Sequence, residues 1–284
     1  MQTTKEWKKY HQLSLTILKQ LGFGVKSVLE SRILEEVEFF RDHILKQKGN
    51  SFNPRELVHH WTTNVIMNIV FARRQDYNLG ITELGYEMGR IAENMDMALD
   101  VAPIIRFVPF FRNKLCLLIE NQKIIHSILR LEIEKSLEDG ADDCFVRRYV
   151  ESVGPGYDTE QLRFTIRDLI AAGTNTTANT LLWTLIALAN NPTVQDRLRE
   201  EIDAVVPRDA LPSMNDQAKL PFVEATILEI LRWRTLVPLA VPHMTLCDTE
   251  VGDYFVLAET LVGLILIICS NQILMLLRCL CSVR

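Results

Sequence analysis

A polar insert, Ala172-Gly173-Thr174-Asn175-Thr176-Thr177, interrupts an otherwise apolar stretch of the chain. Hydroxyl side chains within a helix can bond to the carbonyl four residues earlier and bend the helix, and a glycine there costs about 1 kcal/mol relative to alanine. The insert is therefore either a kink where helices cross closely, which composition alone favours, or a small-residue groove. In the second case its hydroxyls would face a flat ligand or cofactor and position water or dioxygen.

Two pairs of side chains are spaced to share a helix face. Trp7 and His11 are four residues apart, so an indole N–H and an imidazole point towards the same place. In isolation, a core tryptophan beside a surface histidine is the commoner arrangement. Glu229 and Arg232 are three residues apart and can form an ion pair, which is frequent on helices and weak when exposed. His243 lies in an extended stretch, and its role is equally open.

Composition narrows the possible classes of protein. The 284 residues are 48% hydrophobic and 24% charged, with 12 glycines and 10 prolines, which excludes disordered and collagen-like chains. A net charge of −5 without a basic block argues against nucleic acid as a partner. The six cysteines have no spacing typical of disulfide frameworks or zinc sites, so no metal ligand is identified.

Capping residues and apolar periodicity predict a single mainly α domain. Its longest helix would span about 48 Å at 1.5 Å per residue and carries the polar insert. The predicted helices cover residues 4–19, 27–49, 54–72, 80–98, 113–137, 158–190, 192–205 and 221–234.

Beyond Pro238 the pattern changes to short apolar runs, which predict a small β hairpin near Gly252. We expect the domain to cover residues 1–256 and to be followed by a divergent apolar tail, residues 257–284. The tail includes an uncharged stretch over residues 260–277, which is marginal as a membrane span. It is also typical of read-through into an intron or an alternative exon.

Taken in order, these motifs resemble those of the cytochrome P450 haem-thiolate monooxygenases, and among them the 2U-like members of the microsomal animal family 2. The insert from Ala172 to Thr177 resembles the family's dioxygen-groove motif, and Glu229-Ile-Leu-Arg232 is similar to its Glu-x-x-Arg motif. The resemblance extends from residue 3 to 256 and implies a fragment of the cytochrome P450 fold.

The resemblance also implies a haem cofactor and assigns roles around it. Thr176, beside Asn175, would help to deliver protons to bound dioxygen, and Ala172 and Gly173 would leave room over the haem face. Trp7, with His11, would bind a haem propionate, as would His243. Glu229 and Arg232 would be structural, and the substrate side would be lined by Val237, Leu239, Ala240 and Val241.

The implied activity is insertion of oxygen from dioxygen into an apolar small molecule, with electrons from NADPH-cytochrome reductase. The implied location of the full-length form is the endoplasmic reticulum membrane.

Three departures from the family pattern matter. His11 replaces an arginine, so a fixed cation becomes a titratable donor. Asn175 stands where an acid is usual, and an amide cannot titrate. The Phe-x-x-Gly-x-x-x-Cys-x-Gly segment, whose thiolate binds the iron, does not occur in this sequence. An alternative is therefore a catalytically inactive truncated isoform or pseudogene product that acts at most as a binding or regulatory module.

Overall fold

The computed structural model describes residues 5–23, 26–74, 109–138, 143–238, 240 and 243–262. These residues form a mainly α structure with two short antiparallel strand pairs, as the sequence predicts. The chain divides into two compact units, Met1–Ala178 and Asn179–Arg284. The predicted helix over residues 80–98 lies outside the described residues.

The described part of the first unit is built from helices. Their bounds are α1 Lys5–Gln20, α2 Lys26–Lys46, α3 Pro54–Phe71, α4 Pro109–Ser136, α5 Phe145–Val153 and α6 Thr159–Ala189, the last of which continues into the second unit.

The helix starts follow from capping chemistry that is legible in the sequence. Asn53 caps α3, since its side chain accepts a hydrogen bond from the backbone N–H of Arg55 at 3.0 Å. The residue after Asn53, Pro54, occupies the first position of the helix. Asp158 caps α6 in the same way, since its Oδ1 accepts from the N–H groups of Glu160 and Gln161 at 2.9 and 3.2 Å. Both predicted starts are confirmed.

Around the middle of the chain, one predicted helix start was wrong and one helix was missed. Pro109 was expected to break the chain before a helix at 113, but it is the first residue of α4, where a proline costs no intrahelical hydrogen bond. Helix α5 was not predicted at all. It has nine residues, and its N-cap Cys144 makes no side-chain capping bond, so the usual start signal is missing.

The core of the first unit lies where α1, α3, α4, α5 and α6 pack together. Its largest fully buried side chains include Phe71, Phe145 and Tyr149. Helix α6 contributes a column of buried residues spaced by four, each 0% exposed: Leu162, Ile166, Ile170, Thr174 and Ala178. This column fixes the rotation of α6 about its axis and thereby decides which residues of α6 remain available on its other faces.

The second unit contains helices α7 Pro192–Val205 and α8 Pro221–Trp233, with a 3₁₀ helix, Met214–Lys219, between them. Both α-helices were predicted from the prolines at their starts, and the 3₁₀ helix was not. The Glu201 carboxylate joins α7 to α8 by accepting hydrogen bonds from the backbone N–H groups of Phe222 and Val223 at 3.0 and 2.9 Å. A carboxylate at this end of a helix also interacts favourably with the helix dipole.

The strands form two antiparallel pairs. Strand β2, Thr249–Val251, pairs with β3, Tyr254–Val256, around a turn where Gly252 has a φ of 60°, which confirms the predicted hairpin. Outside it, β1, His243–Met244, pairs with β4, Leu261–Val262. Strand β4 lies beyond residue 256, where the sequence predicts the end of the domain. That domain boundary stays a prediction.

Candidate functional site

A cavity of about 810 Å³ opens in the first unit between α1, α3 and α6. This volume falls in the range typical of sites for small molecules and cofactors. Helix α3 supplies an apolar wall, whereas α1 and α6 supply most of the polar groups. The lining residues are Trp7, Tyr10, His11, Ser14, Leu18, Phe23, Ile66, Ile69, Val70, Gln161, Phe164, Thr165, Arg167, Asp168, Leu169, Ala172 and Gly173.

The α1 wall contains the predicted pair Trp7 and His11. Their rings are stacked, with centroids 4.8 Å apart and planes inclined by 12°. Trp7 is 38% exposed, so it is not the core tryptophan that the commoner interpretation of this spacing required. The expectation that the two residues share a face is confirmed, and that face lines the cavity.

The α6 wall brings the small residues of the polar insert to the same cavity. Ala172 is exposed and lines it, as does Gly173. A Cβ atom at position 173 would lie 2.5 Å from Cδ1 and 2.8 Å from Cγ1 of Ile66 on α3. The missing side chain of Gly173 is therefore needed for a close contact between α3 and α6, as the first interpretation of the insert expects. The role of Ala172 and Gly173 in a ligand groove stays a prediction.

The hydroxyl groups of the insert divide between two environments. Thr176 is exposed, and its Oγ1 donates a hydrogen bond to the Ala172 carbonyl at 2.7 Å, the bond to the fourth preceding residue that the sequence suggests. Thr174 is fully buried, and its Oγ1 has no hydrogen-bond partner among the described residues. Neither Thr176 nor the half-buried Asn175 is among the residues that line the cavity.

Sequence reasoning missed the polar residues at the α6 side of the cavity. Arg167 donates to Asp168 at 2.8 Å, and Thr165 donates to the Gln161 carbonyl at 2.9 Å. The spacing of 161, 165, 168 and 172 on one helix face was a signal that could have found them, since residues three and four apart are neighbours.

The remaining predicted site residues belong to the second unit. Glu229 accepts two hydrogen bonds from Arg232, each 2.6 Å long, and this bidentate pair holds the pKa of Glu229 below its usual range and raises the pKa of Arg232. The ion pair that the three-residue spacing predicts is thus formed. His243 is exposed on β1.

The predicted substrate-side residues are described in part. Val237 is exposed, and Ala240 is half-buried with a φ of 53°. Leu239 and Val241 lie outside the described residues.

The donor set and walls of the cavity fit a haem. This cofactor is a flat, mostly apolar ring with two carboxylates, and the cavity offers apolar walls from α3 and α6 together with an indole and an imidazole on α1. In the described part of the chain, no three histidine, cysteine or acidic side chains are grouped as they would be to hold a metal ion by themselves. There is also no described helix both long and apolar enough to span a membrane.

Comparisons with known proteins identify the family of this chain. The profile of the Cytochrome P450 family matches residues 1–272. The chain therefore belongs to the cytochrome P450 family.

Its relatives place it more narrowly in family 2. It is 31% identical to human cytochrome P450 2U1 over 274 residues, which cover 90% of this chain and 49% of that protein. It is 32% identical to chicken cytochrome P450 2H1, covering 90% and 54%, and 31% identical to pig vitamin D(3) 25-hydroxylase, covering 89% and 53%. The chain spans about half the length of these relatives.

Proposed function

We propose that this chain is part of a haem-dependent monooxygenase that oxidises an apolar organic substrate with dioxygen. The observation that carries the proposal is the cavity of the first unit, which brings Trp7, His11, Ala172 and Gly173 to one place although α1 and α6 are far apart in sequence. Membership of the cytochrome P450 family supports it and favours it over the alternative of an inactive binding module.

Each residue of the cavity has a distinct part in this function. When bound, the haem supplies the oxidation chemistry that protein side chains lack. Trp7 and His11 would bind its carboxylates by donating hydrogen bonds, and the small side chain of Ala172 would leave space beside α6 for a flat ring. Ile66 and its apolar neighbours on α3 exclude water.

Two polar residues outside the lining would handle protons. The Thr176 hydroxyl, which donates to the Ala172 carbonyl one turn earlier, would help to deliver protons to bound dioxygen. Asn175 would orient such a group through its amide but cannot itself carry the proton.

The proposal extends to the second unit and to partners. His243 would reach a second carboxylate of the cofactor, and Val237, Leu239, Ala240 and Val241 would contact the substrate. Electrons would come from NADPH-cytochrome reductase, and the endoplasmic reticulum membrane would be the location, as is usual for microsomal members of family 2. The residues 1–256 would form the cytochrome P450 domain.

A haem titration of the purified chain tests the proposal. We expect saturable one-to-one binding, followed by absorbance, that is weakened at least tenfold by Ala172→Phe because a phenyl ring would fill the cavity. Ala189→Phe at the exposed end of α6 is the matched control and should bind normally. Circular dichroism verifies that both variants fold.

The loaded chain is then supplied with NADPH, the reductase and a panel of fatty acids, steroids and xenobiotics. Reduction under carbon monoxide reports on the axial ligand, since a red-shifted Soret band indicates a thiolate. Failure of the wild-type chain to bind haem, or equal binding by Ala172→Phe, would refute the assignment of the cavity. Haem binding without oxidation of any substrate in the panel would refute the monooxygenase function of this chain.

A further inference from the structure

Three basic side chains of α4 and α6 surround one aromatic ring in the first unit. The guanidinium carbons of Arg163 and Arg167, one turn apart on α6, lie 4.9 and 5.2 Å from the centre of the Phe164 ring. The ring of His126, on α4, meets the same ring edge-on, with centroids 5.8 Å apart. Arg163, Arg167 and His126 thus form a basic cluster, to which the proposed function gives no role.

Two members of the basic cluster have buried nitrogen atoms without an acceptor. The Arg163 side chain is 6% exposed, and only its Nη2 is paired, with Glu160. Its Nε and Nη1, and Nε2 of His126, are buried and have no hydrogen-bond partner among the described residues. Buried N–H groups nearly always have an acceptor, and a charged donor without one is especially costly. The cluster therefore has donors available for a further acceptor.

The charges around the basic cluster leave its interior positive. Glu160 and Asp168, which pair with Arg163 and Arg167, are 66% and 52% exposed, so water screens much of their charge. Burial lowers the pKa of His126, and the charges of the two arginines lower it further, which indicates that both guanidinium groups act on the imidazole. An anion among these three side chains would be attracted by all of them.

We propose that the basic cluster binds a phosphate group, either free inorganic phosphate or the phosphate of a small molecule. Guanidinium groups donate strong, charge-assisted hydrogen bonds to phosphate oxygens. A phosphate group carries a charge of about −1.5 to −2 at pH 7 and has three strong acceptor oxygens. It therefore suits donors that come from two helices better than a carboxylate, which has only two oxygens.

The approach to this site is from the cavity. Phe164 and Arg167 both line the cavity, and Phe164 is 39% exposed. Rotation of the Phe164 ring would open the buried nitrogen atoms of Arg163 and His126 to an anion. His126 would donate from Nε2, either as the neutral tautomer protonated there or as the cation. The inference does not depend on haem or on the proposed oxidation.

Calorimetric titration of the full chain with inorganic phosphate, at pH 7 and constant ionic strength, tests the site. We expect saturable one-to-one binding that Arg163→Met weakens by at least roughly tenfold, because charge-assisted hydrogen bonds are lost. Arg199→Met is the matched control and should leave binding unchanged. Arg199 also pairs with an acid three residues earlier, Asp196 at 3.1 Å, but its side chain is 63% exposed.

A second variant keeps the test decisive if Arg163→Met does not fold, which circular dichroism reports. His126→Leu retains both arginines and removes one donor from the other helix, so it should weaken phosphate binding by roughly tenfold. Titration with acetate, which should bind at least roughly tenfold more weakly than phosphate, tests the preference for phosphate.

The outcomes bear directly on the site. Absence of saturable phosphate binding by the wild-type chain, or unchanged binding by folded Arg163→Met or His126→Leu, overturns it, as does an equal loss in Arg199→Met. Equal affinity for acetate overturns the assignment to phosphate. Titration with glycerol 3-phosphate separates the two sources: tighter binding than that of inorganic phosphate supports a phosphate monoester, and weaker binding supports the free anion. Failure of the haem titration would refute the proposed function and leave this site standing.

Discussion

Replacing Gly173 with alanine is the sharpest test of how α3 and α6 fit together. The new methyl group would lie 2.5 Å from Cδ1 of Ile66, whereas carbon atoms in ordinary contact are about 3.5 to 4.0 Å apart. Ile66 must therefore move by about 1 Å or more. Because Ile66 and Gly173 both line the cavity, such a movement would also change the shape of the site.

The expected cost follows from two opposing effects. Overpacking typically destabilises by about 1 to 3 kcal/mol, and alanine in place of glycine inside a helix stabilises by about 1 kcal/mol. Gly173→Ala should thus lower the free energy of unfolding by about 0 to 2 kcal/mol. In an Ile66→Ala background both close contacts are absent, so the same substitution should raise the free energy of unfolding by about 1 kcal/mol.

Urea unfolding followed by circular dichroism measures this coupling as a double-mutant cycle. The coupling energy between positions 66 and 173 should be about 1 to 3 kcal/mol. Ile69→Ala is the control, since Ile69 is on the same wall but is not among the atoms that the new methyl would meet, and its effect should add to that of Gly173→Ala. If Gly173→Ala changes stability equally in the wild-type and Ile66→Ala backgrounds, the close crossing is refuted.

Three further predictions concern stability. Glu201→Ala should lower the free energy of unfolding of the second unit by about 1 to 2 kcal/mol, because two N–H groups at the start of α8 lose their acceptor. Substitution of the exposed Glu200 by alanine is the control, and equal effects of the two substitutions in urea unfolding would contradict the capping role of Glu201. Glu36 is 1% exposed and pairs with Arg74 at 2.8 Å. Glu36→Ala should therefore lower the free energy of unfolding by about 3 kcal/mol in the same assay, and Glu36→Gln should lower it by less. An unchanged free energy of unfolding for Glu36→Ala would show that the ion pair is not needed for stability. Burial lowers the pKa of His60, so the unfolded chain binds a proton at this side chain more tightly than the folded chain does. The contribution of neutral His60 to stability should be complete above about pH 6.5 and should be lost as the pH falls through the lowered pKa. The urea midpoint of His60→Gln should therefore depend less on pH than that of the wild type.

Local signals in the sequence were sufficient for most of the helices. Asn53, Asp158 and the prolines at 54, 192 and 221 act within one turn of the helix that they start, so their effect can be read without knowledge of the tertiary structure. Helix α5 lacks such a signal and is stabilised instead by burial of Phe145 and Tyr149 against other helices. Propensity alone could not indicate it.

The candidate site shows the same division between local and distant causes. The stack of Trp7 on His11 depends on two residues of one helix, and the four-residue spacing was enough to predict a shared face. A glycine is needed at position 173 because Ile66 packs against it, and Ile66 is more than a hundred residues away in the sequence. The sequence alone therefore could not decide between a close helix crossing and a ligand groove. Pairing of β1 with β4 is equally non-local.

The four-residue spacing of the buried column on α6 also determines how the helix tolerates changes of length. Four residues rotate by about 400°, so the column from Leu162 to Ala178 turns about 160° around the axis while rising about 24 Å. Deleting a single residue after Leu162 would rotate everything that follows by about 100° and shift it by about 1.5 Å. Such a deletion would carry Ala172 away from the cavity and pull Ile170 out of the core. The number of residues in this helix is therefore a constraint in its own right, and we expect variants of this chain to tolerate substitutions along α6 far more readily than insertions or deletions.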